Sequence, residues 1–331
     1  MRTCRGWSCA CGDRTTSCWC SEPATSIEPW EASLRSSDLR LALRPMRGSV
    51  RERVELAPLM HLRIGGPADW FVEPYADEDV ALCVRACREL DVPLRVLGGG
   101  SNIVVADEGV RCAVMQLTNL NRIVCDGVRI TAGAGVTLPS LLRATKEVGL
   151  AGLEKLTGIP AQVGGAVAMN AGTRDGETFE HLVSLTVVEP DGSLSERSKQ
   201  DLRPVYRDGQ LGDAIVLRAT FELHRDDPKA IFERFTAALK KRNATQPITQ
   251  RSVGCVFRNP PGDAAGRLIE ASGCKTLRVG AVEVSGVHAN YFVNNGGGSA
   301  ADFIALMTEV KRRVKQRQGI DLEPEVKFWG F

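Results

Sequence analysis

Three glycine-rich clusters within 75 residues constrain this chain more than any other feature of its sequence. They are Gly98-Gly99-Gly100-Ser101-Asn102, Gly133-Ala134-Gly135, and the run from Gly158 to Gly172 that contains Pro160 and Asn170. Glycine permits positive φ and close approach of the backbone, which an amide-lined pocket for a pyrophosphate requires. One glycine loop is more often a structural turn, but three such clusters are hard to explain as turns. They favour a ligand pocket.

The first cluster fits neither of two common phosphate-binding loops. No Gly-Lys-Ser/Thr follows it, so it is not a P-loop. Ile103 stands at the third glycine position of the dinucleotide fingerprint, and the residues after it resemble a strand rather than a helix. The first cluster by itself therefore identifies no phosphate-binding motif.

The hydrophobic pattern predicts helices and strands that alternate without a fixed repeat. Turn signals such as Asp191-Gly192 separate several of the strands. The predicted helix from Pro228 to Arg242 would place Ile231, Phe232, Phe235 and Leu239 on one face. The pattern predicts an α+β or mixed α/β fold in at least two parts, with a boundary near residue 226. The predicted helices are 77–90, 138–148, 228–242 and 300–317, and the predicted strands are 93–97, 101–105, 111–117, 121–125, 128–132, 183–189, 194–197, 214–223, 255–257, 281–285, 289–293 and 325–329.

Composition excludes several classes of function. The chain has 42 basic and 40 acidic side chains, which argues against a nucleic-acid-binding role based on net positive charge. It contains no run of about 18 apolar residues and no signal-peptide core, so we expect a cytoplasmic protein without a membrane span. Cysteines at 83, 87, 112, 125, 255 and 274 are interpreted as reduced residues of the body of the protein.

The first 45 residues differ from the rest and are left out of the fold prediction. Five cysteines lie among Ser, Thr, Arg and Trp: Cys9 with Cys11 and Cys18 with Cys20 form Cys-x-Cys pairs, and Cys4 stands apart. Thiolates at such spacing can chelate zinc, but structural zinc motifs usually have two to four residues between the cysteines. We favour a disordered or spurious extension over residues 1–47, with the working protein starting near Met46.

Several motifs in order resemble one enzyme family. They are Arg63–Ala68, Val96–Asn102, Gly158–Gly172, Tyr206-Arg207-Asp208, Gly254–Pro260, Val284–Asn290 and Leu322–Val326. The first three resemble the FAD-binding region of the vanillyl-alcohol oxidase-like (PCMH-type) flavoproteins, and the whole set resembles the UDP-N-acetylenolpyruvoylglucosamine reductases. The resemblance covers about residues 48–331.

The resemblance implies a fold, a reaction and two cofactors. It implies a two-part FAD-binding domain over 48–225 and an α+β substrate-binding domain over 226–331. It implies reduction of UDP-N-acetylglucosamine enolpyruvate to UDP-N-acetylmuramate by NADPH through non-covalent FAD, in peptidoglycan precursor synthesis. The expected protein is a monomer with a small-molecule substrate and no nucleic-acid or membrane partner. The residues expected to bind the cofactor are Arg63, Gly98, Gly99, Gly100, Ser101, Asn102, Gly133, Gly158, Ile159, Pro160, Gly164, Gly165, Ala166, Asn170 and Gly172.

Three residues match the family's catalytic positions. Hydride delivery to an enolpyruvyl ether leaves negative charge on the adjacent carbon and carboxylate, so the site needs a cation, an acid and a hydrogen-bond donor. Arg207 matches the enolate-stabilising arginine, although an arginine in such a loop is more often solvated. Glu325 matches a polarising or general-acid group. Cys255 stands where many members have a proton-donating serine, and its alternative is a small buried hydrophobe.

Expected substrate contacts are Arg207, Asn259, Lys275 and Ser285, where a turn role for Asn259 and a surface role for Lys275 are the alternatives. Val287 replaces a lysine common in the family, and the short stretch between Arg207 and Asn259 resembles the type without a substrate-covering tyrosine loop. Isolated His61, His181 and His224 suggest no metal site. An oxidase of the same flavin fold and a catalytically silent flavin- or nucleotide-binding protein are the competing functions.

Overall fold

The computed structural model describes residues 38–173 and 175–331. Residues 38–42 form a helical turn, and 3-10 turns lie at Ala57–Leu59, Glu154–Leu156, Thr178–Glu180 and Lys199–Asp201. The longer helices are α1 (Asp77–Glu89), α2 (Leu138–Glu147), α3 (Val163–Ala168), α4 (Pro228–Thr245), α5 (Ala265–Ala271) and α6 (Ala300–Gln318). The strands are β1 (Gly48–Glu55), β2 (Pro67–Pro74), β3 (Leu94–Leu97), β4 (Ile103–Val105), β5 (Val110–Gln116), β6 (Ile123–Asp126), β7 (Arg129–Gly133), β8 (Leu150–Ala151), β9 (Gly172–Thr173), β10 (Gly176–Glu177), β11 (Leu182–Val188), β12 (Leu194–Ser198), β13 (Ile215–Glu222), β14 (His224–Arg225), β15 (Ser252–Cys255), β16 (Arg278–Val279), β17 (Val282–Val284), β18 (Tyr291–Asn294) and β19 (Lys327–Trp329).

The first part of the chain contains two sheets that share one core. A four-stranded sheet has the order β1-β2-β5-β3, with β5 parallel to both of its neighbours. A five-stranded antiparallel sheet has the order β12-β11-β13-β7-β6. Helix α1 packs between them, because its apolar positions Val80, Cys83, Val84 and Cys87 recur at helical spacing and are buried. Asp79 fixes the start of α1 by accepting a hydrogen bond from the Ala76 N–H at 2.9 Å.

Packed structure begins before the boundary expected at residue 48. Leu39 and Leu43 are fully buried and belong to the same core as Trp70. The expected disordered extension is therefore wrong for residues 38–47, because this segment buries leucine side chains. The five cysteines of the first twenty residues, with the alternatives proposed for them, lie outside the described residues.

Helix α4 packs against the first part, so the structural boundary falls after it and not near residue 226. It contacts α2, β8 and the turn at Glu154–Leu156. Only Ile231 of its predicted apolar face is fully buried, whereas Phe232 and Leu239 are exposed. The helix lies on the surface and is attached largely by polar contacts, such as the pair of Arg234 with Glu154 at 2.8 Å.

We expect the substitution Glu154→Gln to destabilise the protein by about 1–3 kcal/mol at neutral pH, because Glu154 accepts charge-assisted hydrogen bonds. Its donors are the Gly152 N–H at 2.7 Å and Arg234 at 2.8 Å. Burial acts to raise the pKa of Glu154, but these hydrogen bonds outweigh it and hold the pKa below its ordinary value. The wild-type protein should therefore be more stable than Glu154→Gln at pH values above the pKa of the carboxyl group in the unfolded chain. This difference in stability should be lost as the pH falls through the lower pKa of Glu154 in the folded protein.

Thermal unfolding of both proteins over a series of acidic pH values measures this difference. Glu233→Gln, an exposed glutamate on the same helix, is the matched control and should leave the unfolding temperature unchanged. A Glu154→Gln deficit that persisted unchanged at the lowest pH would contradict the assignment to the carboxylate.

The second part is a four-stranded antiparallel sheet, β15-β18-β17-β16, covered by α6. Helix α6 buries Phe303, Leu306, Val310 and Val314 at spacings of three and four residues. Ser299 caps its first turn by accepting from the Asp302 N–H, and Gly319 ends it in the left-handed conformation at φ 73°. These side chains pack with Phe257 and Phe292 in a separate core.

Two long-range links join the second part to the first. The last strand, β19, pairs in parallel with β4, so that Phe328 lies opposite Val104. Asp107, in the loop after β4, accepts hydrogen bonds from the Ala300 and Ala301 N–H groups at the start of α6, at 2.8 and 3.2 Å. The loop that carries the first glycine cluster is therefore held against the C-terminal residues.

The α+β prediction and the predicted longer helices are confirmed, with ends within a few residues. The structure adds elements that the pattern missed, namely the eight-residue strands β1 and β2, the helices α3 and α5, and short strands such as β9 and β10. Within the described ranges, every helix is too short or too polar to span a bilayer.

Candidate active site

A cavity of about 1430 Å³ lies where the two parts meet. Its walls include both long glycine clusters, the end of α4, the end of β15 and the residues just before β19. Ligand pockets usually measure ~300–1,000 Å³, so this cavity has room for more than one ligand group. All three predicted catalytic residues, Arg207, Cys255 and Glu325, line it.

Bare backbone forms one wall of the cavity. A Cβ atom built on Gly98 would lie 3.7 Å from the Cα of Gly165, so the first cluster faces α3 at close range. A Cβ on Gly165 would meet nothing within 4 Å. Side chains at these positions would project into the cleft, and their absence leaves backbone amides accessible to a ligand.

A tight turn presents Arg207 to the cavity. Val205 and Asp208 exchange backbone hydrogen bonds of 2.9 and 3.1 Å, and Arg207 between them has φ 61°, in the left-handed region. Such a conformation is unfavourable for a residue with a side chain and is found where surrounding contacts enforce it. One of these contacts is the Asn170 amide, which donates to the Val205 carbonyl at 3.3 Å.

The guanidinium of Arg207 has two of its three nitrogens engaged. Nε donates to Oε1 of Glu325 at 2.9 Å, and Nη2 donates to the Gly172 carbonyl at 3.1 Å. Nη1 is buried and has no hydrogen-bond partner among the described residues. A buried unpartnered donor is costly, so the arrangement is suited to an acceptor supplied by a ligand.

Glu325 is fixed by its backbone on both sides. Its N–H donates to the Val256 carbonyl at 2.8 Å, and its carbonyl accepts from the Asn102 amide at 3.2 Å. The sequence pattern predicts Glu325 within the last strand, but the residue stands just before β19. Burial raises the pKa of Glu325 above its ordinary value, although Arg207 opposes the shift. The carboxyl group is thus held next to a cation at the cavity wall.

Cys255 ends β15 and is half-buried at the cavity wall. Gly254 before it has φ 74° at an irregularity in the β15 and β18 pairing, which turns the strand toward the cavity. Burial and then the charge of Glu325 raise the pKa of Cys255 to about 12. The side chain is therefore a protonated thiol at neutral pH, an acid rather than a nucleophile.

The expected cofactor residues divide into two groups. Those that line the cavity are Gly98, Gly99, Gly100, Ser101, Asn102, Gly158, Ile159, Pro160, Gly165 and Gly172. Those outside its lining are Arg63, Gly133, Gly164, Ala166 and Asn170. A Cβ on Gly133 would lie 2.1 Å from the Leu120 carbonyl oxygen, so this glycine permits close backbone packing. Arg63 donates to the Pro58 carbonyl on the surface.

The expected substrate residues are also placed differently from one another. Asn259 lines the cavity, and its Oδ1 accepts from the Ala265 N–H at 3.0 Å at the start of α5. Lys275 lies outside the cavity lining and pairs at 2.8 Å with Glu270, which belongs to that lining. Ser285 is buried, and its hydroxyl accepts from the Val287 N–H at 3.2 Å. The cavity brings Asn259 to the three predicted catalytic residues, but not Lys275 or Ser285.

Sequence reasoning missed many polar residues of the cavity wall, and three of them are Tyr291, Arg242 and Gln246. Tyr291 faces Cys255 from β18, and Arg242 and Gln246 lie at the end of α4. Arg242 follows Lys240 and Lys241, and such a basic run on a helix usually indicates a solvated face. Pairing the strand of Cys255 with the strand near 289–293 would have been the available signal for Tyr291.

Both parts of the chain match known protein families. Residues 68–197 match the family described as FAD binding domain, and residues 246–329 match the UDP-N-acetylenolpyruvoylglucosamine reductase C-terminal domain. The second match begins directly after α4, in agreement with the contacts of that helix.

Individual relatives match over most of their length. A UDP-N-acetylenolpyruvoylglucosamine reductase of Moorella thermoacetica is 43% identical over 81% of this chain and 89% of its own. One of Rubrobacter xylanophilus is 44% identical over 81% and 91%. The crystal structure of the Thermus caldophilus enzyme, 37% identical, superposes with a TM-score of 0.74 and covers 86% of this chain and 99% of its own. The chain belongs to the UDP-N-acetylenolpyruvoylglucosamine reductase family.

Proposed function

We propose that this chain is an FAD-dependent oxidoreductase that reduces UDP-N-acetylglucosamine enolpyruvate to UDP-N-acetylmuramate with NADPH. This reaction supplies a precursor of peptidoglycan for the bacterial cell wall. Membership of the family supports the assignment, since the relatives are named for this activity and match over most of the chain.

The observation that carries the proposal is the buried, unpartnered Nη1 of Arg207 in a wall shared with Glu325 and Cys255. A planar guanidinium suits a carboxylate, and the enolpyruvyl group carries one. The three side chains supply the cation, the carboxyl group and the acid that this reduction requires.

The residues present fit FAD, because the glycine clusters leave bare backbone along a cleft that a Cβ would fill. We propose that Gly98–Asn102 and Gly158–Gly165 hold the cofactor without a covalent bond. Arg63, Gly133, Gly164, Ala166 and Asn170 would act on this site through the packing of its walls. When bound, FAD would supply the hydride that it receives from NADPH.

Arg207 is proposed to stabilise the negative charge that develops on the substrate. Its Nη1 would donate to the enolpyruvyl carboxylate, while the contacts of Nε and Nη2 keep the fork in one orientation. Glu325 would hold the arginine and polarise the reacting group. Asn259 would contact the substrate directly, and Lys275 and Ser285 would support the walls around it.

Cys255 is proposed to donate the proton. The S–H bond breaks, a C–H bond forms at the carbon next to the carboxylate, and a thiolate remains on Cys255. A proton from solvent water then restores the thiol. Because the pKa of Cys255 is about 12, the thiol stays protonated until the substrate accumulates negative charge.

We further propose that the protein acts as a monomer in the cytoplasm, without a nucleic-acid or membrane partner. One chain supplies all three candidate catalytic side chains and the glycine clusters. Size-exclusion chromatography with light scattering tests this part, and a stable dimer at working concentrations would contradict it.

An anaerobic titration tests the function. We expect the purified protein to be yellow, to lose its flavin absorbance when NADPH is added, and to regain it when UDP-N-acetylglucosamine enolpyruvate follows. UDP-N-acetylglucosamine, which lacks the enolpyruvyl group, is the control and should restore nothing. Bleaching without recovery would reject the substrate, and a colourless protein that takes up no FAD would reject the cofactor.

A further inference from the structure

We propose that Tyr291 is a positioning residue for the Cys255 thiol. Its hydroxyl would accept a hydrogen bond from the S–H group before proton transfer and donate one to the thiolate afterwards. This inference rests on the proposed function, in which Cys255 gives its proton to the substrate.

The strand register places the two side chains together. Cys255 and Tyr291 are directly paired across the antiparallel strands β15 and β18. Residues paired in this way project from the same face of the sheet with Cβ atoms ~4.5–5.5 Å apart. Both side chains line the cavity, and Tyr291 is only 6% exposed. The phenol is therefore enclosed beside the thiol, where its hydroxyl acts to lower the pKa of Cys255.

Gln246 accepts the hydrogen bond that the Tyr291 hydroxyl donates in this structure. The Tyr291 hydroxyl donates to Oε1 of Gln246 at 2.9 Å, and its oxygen retains acceptor capacity for the thiol. A hydroxyl has one proton and can rotate, so the same group can turn to a thiolate when one forms. Gln246 provides the alternative partner that makes both orientations possible.

The surroundings of Cys255 make a thiolate unfavourable, so a hydrogen bond from Tyr291 to the thiolate would stabilise it. A thiolate beside Glu325 is unfavourable, since burial and that carboxylate both raise the pKa of Cys255. Burial likewise raises the pKa of Tyr291, so the phenol keeps its proton and remains a donor. Arg242 opposes both upward pKa shifts. A hydrogen bond from Tyr291 would therefore lower the cost of the thiolate at the moment it is formed.

Rapid-mixing measurements on the FAD-loaded Tyr291→Phe variant separate this role from a general loss of structure. We expect reduction of the flavin by NADPH to be unchanged, and reoxidation by UDP-N-acetylglucosamine enolpyruvate to be at least tenfold slower. Combined with Cys255→Ala, the substitution should cause no further loss, because the two side chains act as one unit. Equal slowing of both half-reactions, or multiplied losses in the double variant, would overturn the proposal.

The chain offers a matched control, since it contains only three tyrosines and Tyr75 is exposed. Tyr75→Phe should leave both half-reactions unchanged. A wild-type protein that is bleached by NADPH but not reoxidised by the substrate would reject the proposed function itself. Normal reoxidation in both wild type and Tyr291→Phe would reject only the role of Tyr291.

A readout independent of turnover is the alkylation of Cys255 by iodoacetamide, followed by peptide mass spectrometry at one alkaline pH. Loss of the tyrosine hydrogen bond should raise the thiol pKa, so Cys255 should react several-fold more slowly in Tyr291→Phe than in wild type. Equal alkylation rates would count against the hydrogen bond.

If the Tyr291→Phe variant does not fold, 3-fluorotyrosine can be incorporated in a Tyr206→Phe background. This replacement should change the rate at which the substrate reoxidises the flavin, and an unchanged rate would overturn the proposal.

Discussion

Replacing Arg207 by lysine is expected to slow the reduction of the enolpyruvyl substrate by about 10²–10³-fold, the usual loss when one preorganised donor is removed. Lysine keeps the positive charge but has a single ammonium group. The three guanidinium nitrogens of Arg207 contact Glu325, contact the Gly172 carbonyl and leave Nη1 without a partner among the described residues. A single ammonium group cannot make both contacts and also reach a ligand in the cavity. Stopped-flow measurement of flavin reoxidation by the substrate gives the rate.

Arg203→Lys is the control for Arg207→Lys. Arg203 lies in the same loop, is exposed, and donates to the Leu202 carbonyl. This variant should react at the wild-type rate. If Arg207→Lys also reacted within a few fold of wild type, charge alone would suffice and the fork geometry would have no role.

Removing the thiol of Cys255 is expected to have a comparable effect. Cys255→Ala should lower the rate of substrate reduction by about 10²–10⁴-fold, the range typical of a general acid. Cys255→Ser should stay substantially active, because a hydroxyl is also protonated at neutral pH and can occupy the same place. Steady-state turnover with NADPH, measured for both variants, provides the comparison.

Cys125→Ser serves as the control, since Cys125 is an exposed cysteine on β6. It should match wild type. Equal turnover in Cys255→Ala and Cys255→Ser would remove proton donation from this residue. That result would favour the interpretation of Cys255 as a small hydrophobe.

The sequence predicts a helix best where the apolar spacing and the capping residues indicate the same ends. Helix α6 follows directly from its apolar spacing, its Ser299 cap and Gly319. The ends of α4 were also predictable, but its surroundings were not. Phe232 and Leu239 suggested a buried face, whereas Ile231 and the polar contacts of Arg234 attach the helix. Spacing indicates which residues share a face, and it does not indicate what covers that face.

The candidate site was predictable only where a motif marked a residue. Arg207, Cys255 and Glu325 are far apart in the chain and meet at one cavity, as the resemblance implied. The pairing of Cys255 with Tyr291 depends on a strand register that includes an irregularity, which a pattern of period two does not specify. The position of Arg242 depends on how α4 packs over Gly158, a tertiary contact that no local signal encodes.

The parallel pairing of β19 with β4 has a consequence for how the enzyme is made. Asn102 and Glu325, which meet at this pairing, are separated by 223 residues. A ribosome must therefore add 223 residues after Asn102 before Glu325 can reach the glycine loop. Contacts of such long sequence separation form late and slowly. The nascent protein would assemble its first sheets during translation, but it would acquire its complete set of reactive groups only once Glu325 has been added, so catalytic competence would arise after the first part of the chain has folded.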